Sequence, residues 1–143
     1  MSDSATQVSI RADRCLLPLN LHGATQVAAA AAVATMKIML ADGFMDEVRS
    51  KGAYLAEQLN SLAGRYPRLA VGVRGSGLLQ ALVLTDEGIG QGPAIVERLF
   101  TRGVLINFAG NSVLRFMPPL VVSRQEIDVL IAGLDMVIAE ITD

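Results

Sequence analysis

Apolar positions recur along this chain with a period that changes several times, and each change marks an element. Residues 27–40 are built on an alanine run set with Val27, Val33, Met36, Ile38, Met39 and Leu40, a stretch rich in the best helix former and its unbranched relatives. The pattern predicts a helix that is apolar all round, which is either buried on most sides or packed closely against another chain. Asp42-Gly43 breaks it. A second helix is expected over residues 44–63. Met45, Val48, Tyr54, Leu55, Leu59 and Leu62 trace its core stripe, while Asp46, Glu47, Arg49, Lys51, Glu57 and Gln58 supply the wet face. Gly52 is a weak point inside that helix, and Gly64 followed by Pro67 ends it.

Residues 69–84 then read as two β runs interrupted at Gly75-Ser76-Gly77, where the glycines permit a tight turn or bulge. A Gly-x-Gly pair can also cradle a phosphate, but a third glycine is missing and a β run follows instead of a helix. Residues 85–92 read as a polar, glycine-bearing loop. Pro93 suits the first position of a third helix that stops at Gly103. Residues 103–108 predict a strand, joined through Ala109-Gly110-Asn111-Ser112 to an antiparallel partner beginning at Val113. Pro118-Pro119 terminates that partner. Ser123-x-x-Glu126 has the spacing of a capping box. Ile127, Leu130, Ile131, Leu134, Val137, Ile138 and Ile141 follow at helical intervals. The expected fold is α+β, a small, mostly antiparallel sheet covered on one face by helices and preceded by the long alanine-rich helix.

Composition narrows the function classes. The 143 residues have the length of one domain, and 52% hydrophobic with 18% charged residues is more apolar than an average soluble domain. That excess points to a buried interface. A net charge of −2 without a basic cluster, 4% aromatics and no tryptophan argue against nucleic acid. The longest charge-free apolar run, residues 27–36, is about half of what a bilayer requires, so no membrane span is expected. Cys15 is the only cysteine, which fits a reducing cytoplasm and excludes an intrachain disulfide. Residues 1–21 show no sustained period and read as a poorly ordered leader, with Asp3 and Asp13 where an export signal would be basic and then apolar.

The chemistry-bearing position is Arg115, between apolar neighbours in Val113-Leu114-Arg115-Phe116-Met117-Pro118-Pro119-Leu120. A guanidinium in such a strand asks for a carboxylate or phosphate partner if it is buried. Alternatively it lies on the solvent face or pairs with a carboxylate for stability.

Four phrases in order, His22-Gly23-Ala24-Thr25 before the alanine helix, Val73-Arg74-Gly75-Ser76-Gly77-Leu78-Leu79, Arg102-Gly103-Val104-Leu105-Ile106-Asn107, and the Arg115 run followed by Ser-x-x-Glu-Ile, resemble the C-terminal part of class III pyridoxal-phosphate aminotransferases. The acetylornithine and ornithine aminotransferases are the nearest in look, and the resemblance covers residues 22–143. It implies the C-terminal small domain of the fold-type I pyridoxal-phosphate transferases. It also implies that Thr25 reaches the cofactor phosphate of a neighbouring subunit and that Arg115 faces the substrate pocket. In the family an aromatic residue and a Gly-Gly-Asn-Pro turn separate the threonine from the helix. Here Thr25-Gln26 runs straight into Val27. The lysine, aspartate and phosphate loop that hold the cofactor lie in the family's large domain, and Lys37 and Lys51 match none of these motifs.

The chain alone is therefore expected neither to bind pyridoxal phosphate nor to transaminate. The leading expectation is an isolated small domain, truncated or split from its enzyme, that retains a role in homo-oligomerisation. One alternative is that it completes an aminotransferase site in trans with a large-domain partner. Another is that it binds an amino-acid carboxylate beside Arg115.

Overall fold

A computed structural model describes residues 25–142 of the protein, with only the backbone at Thr25. The expected leader, Cys15 and the His22-Gly23-Ala24 phrase lie outside the described residues. The elements are α1 (Thr25–Met39), α2 (Phe44–Arg65), β1 (Ala70–Ser76), β2 (Leu79–Leu84), α3 (Asp86–Thr101), β3 (Asn107–Ala109), β4 (Val113–Phe116) and α4 (Arg124–Thr142). They fall into two units divided after Phe44, α1 belonging to the first and the α+β body to the second.

In the first unit the alanine-rich stretch is helical as its composition requires, but its apolar side chains are not buried. Val27 is 75% exposed, and Val33, Met36 and Ile38 are exposed as well. No single helix among the described residues is long and apolar enough to cross a membrane.

The second unit is built on a four-stranded sheet in the order β1-β2-β4-β3, with every pairing antiparallel. Gly77 at φ +55° and Leu78 form the two-residue turn between β1 and β2, closing the Ser76↔Leu79 pair. Positive φ at Gly110 and Asn111 closes β3 onto β4, with the Ser112 N–H donating to the Ala109 carbonyl at 3.2 Å. Alternation then sorts the sheet into two faces. Val73, Leu82, Leu114 and Phe108 share a rank on the face that the helices cover. Arg74, Ala81, Arg115 and Asn107 share the next rank, on the opposite face.

The core lies between the first face and the helices. Leu55, Leu59 and Leu62 from α2, Ile95 and Leu99 from α3, and Ile127, Leu134, Val137 and Ile138 from α4 meet Leu82 and Leu114 there with almost no exposure. Most of the expected stripe residues of α2 and α4 are among these, with Val48 and Ile131 buried as well; Met45 is 40% exposed at the start of α2, and Tyr54, Leu130 and Ile141 are only half-buried. The capping box also forms. Glu126 accepts from the Ser123 N–H at 2.7 Å, and the Glu126 N–H donates to Ser123 Oγ at 3.2 Å.

Two boundaries differ from the sequence expectation. Residues 86–92 are not a loop but the first two turns of α3, and Pro93 lies inside the helix. Thr85 is the N-cap, accepting from the Gly88 N–H at 3.0 Å, and Asp86 and Glu87 occupy the positive end of the helix dipole. Two of the glycines that read as loop residues are close-packing positions. A Cβ at Gly88 would lie 2.1 Å from the Leu69 carbonyl oxygen, and one at Gly92 would lie 2.5 Å from the Phe108 ring.

The strand expected over residues 103–108 is likewise shorter, beginning at Asn107. Its first residues close α3 instead. The Gly103 N–H donates to Phe100 and the Val104 N–H to Leu99, both at 2.9 Å, with Gly103 at φ +79°. This is the double hydrogen bond that ends many helices at a left-handed glycine.

Candidate functional site

Arg115 projects from the centre of β4 on the face opposite the helices, half-buried, with Asn107 beside it on β3 and Ala81 on β2. Its Nε is buried and finds no hydrogen-bond partner among the described residues. Of the two settings that need no ligand, ion pairing is not found among the described residues, while the position on the sheet face the helices leave open agrees with the solvent-facing one. The side chain stands at the edge of a cavity of about 460 Å³, within the range of small-molecule sites. Arg74, Gly75, Ala81, Gly110 and Ser112 also line it, and no acidic side chain does.

The surroundings explain why this arginine is left without a partner. Most other guanidinium groups of the second unit are matched: Arg65 with Asp135, Arg68 with Glu87, and both Arg98 and Arg102 with Glu140. Arg49 pairs with Asp46. Arg124 donates to Ser50 Oγ at 3.1 Å and lies over the Tyr54 ring. Among the described residues only Arg74 and Arg115 have no such group, and both line the same cavity. The apolar pattern that singles out Arg115 does not single out Arg74. What links the two is register: the two-residue turn at Gly77-Leu78 sets Arg74 opposite Ala81, the neighbour of Arg115.

Thr25 is the first residue of α1, and its side chain lies outside the described residues. The Gly75-Ser76-Gly77 stretch is consumed by the end of β1 and its turn, as a turn-forming reading requires.

The chemistry of the cavity is that of an anion receiver. Two planar donor groups face it with no competing carboxylate, which suits a carboxylate or phosphate. It does not by itself suit pyridoxal phosphate, which such enzymes hold through a lysine. Lys37 is in α1, and Lys51 in α2 pairs with Glu47 at 3.4 Å. Neither lines the cavity.

Comparison with known proteins gives a consistent set of likenesses. A family model described as aminotransferase class-III matches residues 18–138. The acetylornithine aminotransferase of Gloeobacter violaceus is 38% identical over 119 residues, 83% of this chain and 29% of that protein. The ornithine aminotransferase of Bordetella pertussis is 37% identical, over 82% of this chain and 28% of its own length. Among solved structures, the N-acetylornithine aminotransferase from Stenotrophomonas maltophilia superposes with a TM-score of 0.72 at 27% identity, covering 80% of this chain and 31% of that one. The chain thus spans a little over a quarter of the length of the curated relatives it matches.

Proposed function

The chain belongs to the class-III aminotransferase family, a pyridoxal-phosphate-dependent class, and from that premise we propose that it is an acetylornithine-type small domain which associates with other chains and does not transaminate alone. The observation that carries the association is the exposed apolar surface of α1, where Val27, Val33, Met36 and Ile38 are all more than half exposed. Apolar surface of this extent drives assembly. In support of the inactivity, the cofactor supplies the electron sink for transamination when bound, and neither lysine of this chain lies beside Arg115. A reducing, cytoplasmic setting goes with this reading, Cys15 being the single cysteine. Light scattering on the purified chain at high micromolar concentration tests the association. A dimer or larger assembly is the expected result, and a monomer would count against it.

A second reading has support in the open sheet face. Arg115 and Thr25 would serve a site completed in trans by a large-domain chain, Arg115 toward the substrate carboxylate and Thr25 toward the cofactor phosphate. The buried, unpartnered Nε of Arg115 favours this, because a buried donor without a partner calls for one and a substrate carboxylate would supply it. Co-expression with a family large domain should then yield a complex with the cofactor's absorbance band. Failure to form any complex would remove this reading.

A further inference from the structure

We propose that Arg74 and Arg115 together form a two-guanidinium site that binds a compact dianion on the open face of the sheet, in the isolated chain as it stands. The register places them either side of Ala81. Arg74 pairs with Ala81 across β1 and β2, and Ala81 pairs with Arg115 across β2 and β4. Cross-strand partners project to the same face, so the two arginines stand two strands apart, about 10 Å between backbones. The side chain between them is a single methyl group. Two long side chains at that spacing can converge on one group above Ala81, whereas a larger residue at position 81 would block the approach.

The surroundings favour an anion with more than one charge. No carboxylate lines the cavity, and the acidic partners that neutralise Arg65, Arg68, Arg98 and Arg102 all belong to other parts of the unit. Two uncompensated cations facing the same space repel one another, and a dianion removes that repulsion where a monoanion removes only half. Each guanidinium offers a planar fork of donors and accepts nothing, which matches the oxygen pairs of phosphate and carboxylate groups. Gly75 and Gly110 line the cavity without side chains to fill it. The proposal rests on the reading of Arg115 as an anion-facing side chain and adds Arg74 and the charge of the ligand to it.

Isothermal titration of the full chain at low ionic strength tests this with three probes: inorganic phosphate at a pH where it is doubly charged, succinate and acetate. Phosphate or succinate should bind at least about tenfold more tightly than acetate, the effect of one further charged hydrogen-bonding group. Which of the two binds more tightly tells a single convergent group from a pair of separated carboxylates. Arg74→Ala and Arg115→Ala should each weaken the preferred dianion by about tenfold or more. Arg49→Ala, on a helix surface, should leave it unchanged. Circular dichroism confirms that the variants are folded, and Arg74 is exposed, so its replacement leaves the core intact. Loss of binding in Arg115→Ala but not in Arg74→Ala would overturn the paired site while leaving the anion-facing Arg115 standing. Equal affinity for acetate, or no binding of phosphate or succinate at millimolar concentration, would overturn the proposal outright.

Discussion

Gly52 of α2 rests directly on the backbone of Gly77 in the β1–β2 turn, so closely that a Cβ at position 52 would lie 2.5 Å from the Gly77 carbonyl carbon and 2.6 Å from its oxygen. Sequence alone makes Gly52 a defect in a helix. The contact makes it the point at which α2 seats on the sheet, and the neighbour it would strike is backbone, which cannot rotate away.

Gly52→Ala should therefore destabilise the protein although alanine is the better helix former. The gain in helix propensity is about 1 kcal/mol and the overpacking penalty about 1–3 kcal/mol, giving an expected net loss of up to about 2 kcal/mol, toward the upper end because the neighbour is backbone. Urea denaturation of the two proteins measures it. A variant more stable than the parent would show that α2 does not sit where the turn requires.

The opposite outcome is expected in α3. A Cβ added at Gly90 would meet nothing within 4 Å, and the helical backbone there suits any residue, so Gly90→Ala should stabilise by about 0.5–1 kcal/mol. Thr85→Ala removes the N-cap and should cost about 1 kcal/mol. The gain at position 90 follows only if residues 86–92 are helical; if they were a loop, the alanine would bring no helix gain, and a thermal melt of that variant separates the cases. The Thr85→Ala loss also includes the hydroxyl's bond to the Arg68 carbonyl at 2.5 Å.

The difference between Gly90 and its neighbours shows where sequence was legible and where it was not. The stripes of α2 and α4 could be read because a leucine or isoleucine at each turn has one use, burial, and Leu55, Leu59, Leu134 and Ile138 are all in the core. The position of Arg115 in a strand could be read from its apolar neighbours and the double proline. The start of α3 could not, because Gly88 and Gly92 are small for the sake of Leu69 and Phe108, residues distant in sequence. The shortening of β3 has a related cause: Gly103 and Val104 give their N–H groups to α3, a demand set by the helix end and not by strand propensity. Arg74 carries no such mark, because its significance depends on register, which brings it beside Arg115 only once both pairings with Ala81 are known.

Arg115 offers a test that separates a structural arginine from one held for a ligand. Its Nε is buried without a partner, and such a group carries a desolvation cost of about 1–3 kcal/mol that no contact offsets. Arg115→Met keeps the aliphatic stem and removes that cost. Its stability in ligand-free buffer should equal or exceed the parent's, by about 1 kcal/mol at most. A loss of stability of that size would instead identify Arg115 as part of the protein's own scaffold.

The start of α4 gives the chain a specific acid sensitivity. The Ser123 N–H and hydroxyl both donate to the Glu126 carboxylate, at 2.7 and 2.8 Å, and these bonds, the backbone one foremost, hold its pKa below the usual glutamate value. A carboxylate whose pKa is lower in the folded state contributes stability that is present above its unfolded pKa. That contribution is lost as pH falls through the folded value. In Glu126→Gln the neutral amide keeps the shape and removes the titration. Melting temperature should accordingly fall less steeply in Glu126→Gln than in the parent as pH drops from neutral to below the ordinary carboxylate range. At neutral pH the variant should be the less stable of the two. Two parallel profiles, offset by a constant amount, would show that the capping box is formed but that its charge contributes nothing to the fold.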